Sequence, residues 1–272
     1  MYKRQHQVLV RLKQTDHGIL RNGIWAYTNE RLCKDDLITV QIVENECSDN
    51  IAPVNLPLDI AYEDDDIIVI NKPFDMPAHP SAGNHDNTLA NALMYYYGSQ
   101  NKPFVYRCIN RLDRDTTGLT IVAKHALAGG ILGNAVAKRA IHRTYYAVCS
   151  GCTPACMRIS APIARKDAST IERCVDFKRG ENAVTDFIRI KYNPDNNLSL
   201  VKLRLLTGRT HQIRVHMKYI GFPLIGDFLY NPDYTYISRQ ALHSGRLVFT
   251  HPVTGQKMNL ISDIPSDMKS LF

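Results

Sequence analysis

The chain reads as an α+β protein, and three observations predict it. Short apolar runs are interleaved with helical patterns, two of the runs are joined by a tight polar turn, and no strand–helix–strand unit repeats along the 272 residues. Residues 1–50 read as a separate small unit. Glycine breaks Gly18-Ile-Leu-Arg-Asn-Gly23, and Lys34 to Val43 alternates like a strand after a turn. Residues 51–59, with Pro53 and Pro57, read as a linker, and residues 60–272 as the main domain. There Asp66-Ile-Ile-Val-Ile-Asn71 is the nearly continuous apolar run of a buried strand. Thr88 caps a helix carrying Leu89, Leu93 and Tyr96 at helical spacing. Gly118 to Lys124 reads as a further strand and Ala126 to Ala140 as a helix. Val184–Tyr192 and Leu198–Leu206 flank Asn193-Pro-Asp-Asn-Asn197, whose residues favour turn geometry, so these form a hairpin.

Composition narrows the partners. With 44% hydrophobic and 22% charged residues the chain is an ordinary soluble protein. Its 33 Lys and Arg exceed 26 Asp and Glu, a net +7 that attracts polyanions, although many basic proteins bind no nucleic acid. Seven cysteines and no apolar leader fit free thiols in a reducing cytoplasm. No apolar run approaches 18 residues, so no membrane span is expected. Cys149 and Cys152, with Cys156 nearby, lack the second pair that a closed zinc site wants, so no metal is expected.

Three clusters carry candidate chemistry. Asn110-Arg-Leu-Asp-Arg-Asp-Thr-Thr-Gly118 sets two carboxylates among two arginines before a strand. Opposite charge favours the ionised carboxylate, which suits a nucleophile or base, yet the same pattern describes a salt-bridged surface loop. In Thr207-Gly-Arg-Thr-His-Gln-Ile-Arg-Val-His216, Thr210 is placed to cap a helix running to Ile220. Ile213, Met217 and Ile220 would line its buried stripe, while His211, Arg214 and Lys218 share another face. That face reads equally as a phosphate site or as a solvated basic surface. In His142-Arg-Thr-Tyr-Tyr-Ala147, strand alternation separates Tyr145 from Tyr146, and either ring can pack or stack on a base.

In this order the clusters resemble the RluA-type family of pseudouridine synthases. The resemblance extends from Tyr62-Glu-Asp-Asp-Asp-Ile-Ile-Val-Ile-Asn-Lys-Pro73 and Met76-Pro-Ala-His-Pro80 through Arg111–Gly118, Arg143-Thr-Tyr145 and Thr207–His216. It continues with Pro223-Leu-Ile-Gly-Asp227, Tyr230, Ala241-Leu-His243 and His251-Pro252. Asn110, Thr117 and Arg143 stand where the family usually has His, Ser and Lys. The first 50 residues resemble the latter part of an S-four-like RNA-binding module whose first helix is missing.

The resemblance implies a mixed, largely antiparallel central sheet flanked by helices. It implies isomerisation of uridine to pseudouridine in RNA, ribosomal RNA ahead of transfer RNA, by a cytoplasmic monomer that needs no cofactor. By position Asp113 is the catalytic carboxylate, attacking the ribose C1′ or removing its 2′ proton. Tyr145 is the active-site tyrosine and Arg214 the partner of the aspartate. Arg111, Arg143, Arg209, His211 and Lys218 are expected to hold RNA. An RNA-binding protein without catalysis, and a glycosylase that releases free uracil, are the alternatives.

Overall fold

The computed structural model describes residues 10, 12–42, 44, 46–81, 83–167, 169 and 171–272. Near the N-terminus three short strands, β1 (Ile19–Arg21), β2 (Ile24–Trp25) and β3 (Ile38–Val40), pair antiparallel in the order β2-β1-β3. Asn22 and Gly23 both have positive φ, 53° and 82°, the geometry of the two-residue hairpin turn joining β1 to β2. The strand expected over Lys34 to Val43 is shorter than the alternation suggests. The Asp36 carboxylate takes the Cys33 N–H, the Asn22 amide and Arg21, which ties Cys33–Asp36 into a turn and leaves β3 fully exposed. Val43 lies outside the described residues. The missing first helix falls largely on residues 1–9 and 11, also outside them, but Leu12 to Gln14 are helical.

The main body is a nine-stranded sheet. Its path is β4 (Ile60–Glu63), β5 (Ile67–Lys72), β6 (Thr117–Ala123), β13 (Leu242–Thr250), β7 (His142–Ser150), β12 (Leu198–Leu205), β11 (Val184–Asn193) and β8 (Cys156–Ser160). On β13 also pairs β14 (Lys257–Ile261). Every pairing is antiparallel except β6 with β13, which meet only at Thr117–His243 and Ser244–Gly118. This narrow parallel joint unites two antiparallel halves. Gly118 (φ 106°) is required there, because a Cβ would lie 2.3 Å from the Ser244 carbonyl oxygen. A separate pair, β9 (Ile163–Arg165) and β10 (Arg173–Val175), lies off the main sheet.

Helices cover the sheet where the strands bury apolar faces. On α1 (Leu89–Gly98), Thr88 and Asn91 form a capping box, and Leu89, Leu93 and Tyr97 pack on Ile68 and Ile70 of β5. The segment before β4 lies against the same cluster through Ile51, Leu56 and Leu58, with Val54 N–H donating to the Asn91 carbonyl at 3.1 Å. The second helix, α2 (Ala126–Ala137), ends before the expected Ala140. Arg139 adopts left-handed φ (58°), and the Ala140 and Arg139 N–H groups close back on Ala135 and Val136. On the other half, α3 (Gln212–Tyr219) packs Ile213 and Met217 against Tyr145, Leu203 and Phe187. Tyr146 points to the opposite face, beside Val148 and Ile225. The chain ends in α4 (Ser266–Lys269), where Asp267 is gripped by Arg239 at 2.8 and 2.9 Å.

Candidate active site

The parallel joint leaves a cleft of about 920 Å³ between the halves, with an inner recess of about 100 Å³ at its base. The loop ahead of β6 carries Arg111 and Asp113 into both. Thr116 N–H returns to the Asp113 carbonyl at 3.1 Å, which turns the loop and presents the carboxylate. Two partners from other elements hold the next carbonyl, that of Arg114: Met76 N–H at 3.2 Å and Lys72 Nζ at 2.8 Å. Lys72 is 1% exposed. Burial pulls its ammonium down to about 7, against the opposing pull of Asp115 and Asp113.

Across the recess, α3 does not start as the sequence suggests. Thr210 makes no cap; His211 occupies that position in left-handed backbone (φ 56°) and forms no side-chain cap either. Gln212 orders the turn instead. Its Oε1 accepts from Arg209 N–H and the Thr207 hydroxyl, and its amide donates to the Val184 carbonyl and Thr185 Oγ1. Arg214, expected on an outward face, is 2% exposed, because residues 212–217 are buried all round the helix. Its Nε and Nη2 grip Asp227 at 2.7 Å each, and Nη1 donates to Asp113 Oδ2 at 2.9 Å. Burial opposes the guanidinium charge, but the hydrogen bonds from Asp227 and the field of Asp113 outweigh it and push its pKa up. The rings of Tyr230 and Phe228 lie 5.0 and 5.4 Å from the guanidinium carbon. Asp113 Oδ1 accepts no hydrogen bond among the described residues.

His211 completes the cluster, with Nε2 3.8 Å from Asp113 Oδ2 and Nδ1 3.0 Å from the Tyr230 hydroxyl. Arg173 N–H also donates to that hydroxyl; with the hydroxyl's own hydrogen on Nδ1, the ring hydrogen sits on Nε2, towards the carboxylate. Burial lowers the His211 pKa and outweighs the pull of Asp113. Tyr145, 4% exposed on β7, floors the recess beside Leu242 and Ile213, and its hydroxyl has no partner among the described residues.

The outer cleft is lined by Arg111, Arg139, Arg143, Arg204, Arg209, His79, His142 and His211, with Asp113 as its one acidic lining residue among the described residues. A groove of this charge suits a phosphate backbone, with a carboxylate at its base. Of the five residues expected to hold RNA, Arg111, Arg143, Arg209 and His211 line it. Lys218 does not: its ammonium lies 5.5 Å from the Tyr230 ring centre, behind Arg214. Arg209 is partly engaged by Glu181.

Among the described residues, one cluster outside the cleft has metal-like composition, Asp64, Asp66 and His251. The His251 Nδ1 accepts the Val253 and Thr254 N–H groups, so Nε2 carries the hydrogen it directs at Asp64, 2.8 Å away. His125 repeats the pattern, with Ala128 N–H on Nδ1 and Nε2 on Asp66 at 2.8 Å. Neither ring offers a lone pair to an ion, and the trio is a hydrogen-bonded joint between β4, β5 and the end of β13.

The family model described as RNA pseudouridylate synthase matches residues 66–219, which span the Asp113 loop, Tyr145 and Arg214. The chain belongs to that family. It is 41% identical over 253 residues to the uncharacterized RNA pseudouridine synthase YjbO of Bacillus subtilis (strain 168), covering 92% of this chain and 88% of that protein. It is also 41% identical over 267 residues to the ribosomal large subunit pseudouridine synthase D of Haemophilus influenzae, covering 93% of this chain and 81% of that protein. Among solved structures, human RNA pseudouridylate synthase domain containing 1 superposes with a TM-score of 0.64 at 26% identity, over 76% of this chain and 83% of that chain. The chain is therefore an RNA pseudouridine synthase with the mixed, mostly antiparallel α+β fold of the family.

Several residues of the site escape a sequence reading. Asp227, 0% exposed, fixes Arg214; its string Pro223–Asp227 belongs to the family resemblance, but nothing in the sequence assigns the carboxylate to Arg214. Lys72 is unusual as a lysine ending an apolar strand. Arg139 and Arg204 give no local signal, since each becomes a cleft residue only through tertiary packing.

Proposed function

We propose that this synthase converts a specific uridine of structured RNA, ribosomal RNA ahead of transfer RNA, using the Asp113 carboxylate and no cofactor. The observation that carries this reading is the isolation of Asp113. Among the described residues it is the one acidic group lining a cationic cleft, held on one oxygen by Arg214 and open on the other. A target uridine flipped from its stack enters the recess, its ring against Tyr145, while the flanking phosphates rest on Arg111, Arg143 and Arg209. Arg214 fixes the orientation of the reacting carboxylate through its hydrogen bond to Oδ2, and His211 Nε2 lies 3.8 Å from the same oxygen. Ribosomal RNA is favoured because ribosomal large subunit synthases are among the relatives of matching length.

We further propose that residues 1–50 act as a partial S-four-like RNA-binding unit ahead of a catalytic domain from residue 60, in a cytoplasmic monomer. Pseudouridine mapping of total RNA from cells with and without the gene tests the main reading. The expected result is loss of pseudouridine at one or a few large-subunit positions. Release of free uracil by the purified protein would instead mark a glycosylase.

A further inference from the structure

Thr116 floors the inner recess with Tyr145 and Leu242, and it is 2% exposed. Gln240, 1% exposed and 124 residues away in sequence, reaches it from the segment before β13 and donates Nε2–H to Thr116 Oγ1 at 2.5 Å. A hydroxyl offers one hydrogen and two lone pairs. With Gln240 on a lone pair, the Thr116 hydrogen is left to point elsewhere, and no acceptor takes it among the described residues. Its neighbours differ. The Thr117 hydroxyl is engaged by the Leu242 carbonyl and His243, and that of Thr207 donates to Gln212. The Gln240 amide oxygen is also buried without a partner among the described residues.

We propose that Thr116, oriented by Gln240, donates a hydrogen bond to a carbonyl oxygen of the target uracil. This rests on the reading of the cleft as the place where Asp113 acts on uridine. When the N1–C1′ bond breaks, its electron pair stays with the base, and the charge spreads over the two carbonyl oxygens. A fixed donor in the recess stabilises that charge more than it stabilises the neutral base. Thr116 is thus a catalytic residue, and Gln240 a positioning residue behind it. Arg214 is committed to two carboxylates, through Nε and Nη2 to Asp227 and through Nη1 to Asp113.

The test is the single-turnover rate on a ribosomal RNA transcript in which the wild-type protein converts a mapped uridine, measured beside affinity for the same transcript. Thr116→Val is expected to slow the chemical step about 10²-fold, with affinity changed by less than about threefold. Thr116→Ser keeps the hydroxyl and should stay within about tenfold of wild type. Should the valine variant fail to fold, Thr116→Ala gives the same comparison. Gln240→Leu should slow the step by less than Thr116→Val, because the freed hydroxyl still visits the productive orientation. Transcripts carrying 2-thiouridine or 4-thiouridine at the target supply a second arm. Sulfur is the poorer acceptor, so at the contacted position it slows the wild type and adds nothing to Thr116→Val. A valine variant at wild-type rate, or thio effects that add in full at both positions, would overturn the assignment while leaving uridine isomerisation intact. A wild-type protein that converts no uridine in any RNA would remove the parent reading along with it.

Discussion

Arg214 turns two of its three nitrogens to Asp227 and only one to Asp113. The fully buried Asp227 acts as the vice, and Asp113, 30% exposed, is what the vice presents to the recess. A lysine has neither the planar fork nor the reach to serve both carboxylates. Arg214→Lys is expected to lower turnover at least roughly tenfold and to destabilise the fold by about 3 kcal/mol, since the buried Asp227 loses its bidentate partner. RNA affinity should change little, because Arg214 is too buried to meet a phosphate. Turnover close to wild type in this variant would sink the clamp as a functional device.

The two carboxylates of the Asp113 loop have unequal surroundings. Asp115 pairs with exposed Arg114 at 3.1 Å, whereas Asp113 faces the recess. Asp113→Asn should reduce turnover by roughly 10³-fold or more with RNA affinity preserved, and Asp115→Asn by far less. Equal losses in the two variants would show that the loop, rather than one carboxylate, is what matters.

Arg139 sits in left-handed backbone at the end of α2 and lines the cleft. Glycine is the relaxed residue at such a position. Arg139→Gly should therefore stabilise the protein, by up to about 1 kcal/mol in denaturant unfolding, while weakening RNA binding and reducing the slope of log affinity against log salt. Lys218→Ala, away from the cleft lining, should leave that slope unchanged. The prediction fails if Arg139→Gly costs stability or leaves the salt slope as it was.

His243 is buried at the parallel joint, with Nδ1 2.9 Å from Thr117 Oγ1 and Nε2 3.3 Å from the Ser262 carbonyl. Burial lowers its pKa from 6.5 to about 4. Between those values the unfolded chain binds the extra proton, so stability is fully present above 6.5 and drains away as the pH falls towards 4. The full effect is about 3 kcal/mol. His243→Gln should flatten this part of a plot of unfolding free energy against pH; an unchanged slope would place the acid sensitivity elsewhere.

The sheet and its hairpin were legible because their signals are local. The apolar run of β5, the Thr88 cap and the turn at Asn193–Asn197 each carry a pattern within ten residues. The expected Arg214–Asp113 pairing is present in the structure, but the geometric route to it was faulty. Thr210 does not cap α3, and Arg214 is buried rather than outward, because Asp227, Phe228 and Tyr230 of the segment after that helix and Asp113 of the loop before β6 close around its guanidinium. Asp227, Gln240, Lys72 and Arg139 could not be assigned parts at all. Each acts through a contact set by the joining of the two half-sheets, which no local pattern encodes.

That joining has a temporal consequence. The β6–β13 joint links residues 117–118 to 243–244, and the Asp113 loop takes its supports from Lys72, Arg214 and Gln240. Contacts so far apart in the chain carry a large loop-closure cost and form slowly. We expect each half-sheet to acquire protected amides early in refolding, and the loop around Asp113 to become protected only when the halves dock. Pulse-labelled hydrogen exchange would reveal that order, and simultaneous protection throughout would contradict it. On a translating ribosome the same order would keep the carboxylate and its clamp from forming one reactive pocket until β13 has left the exit tunnel.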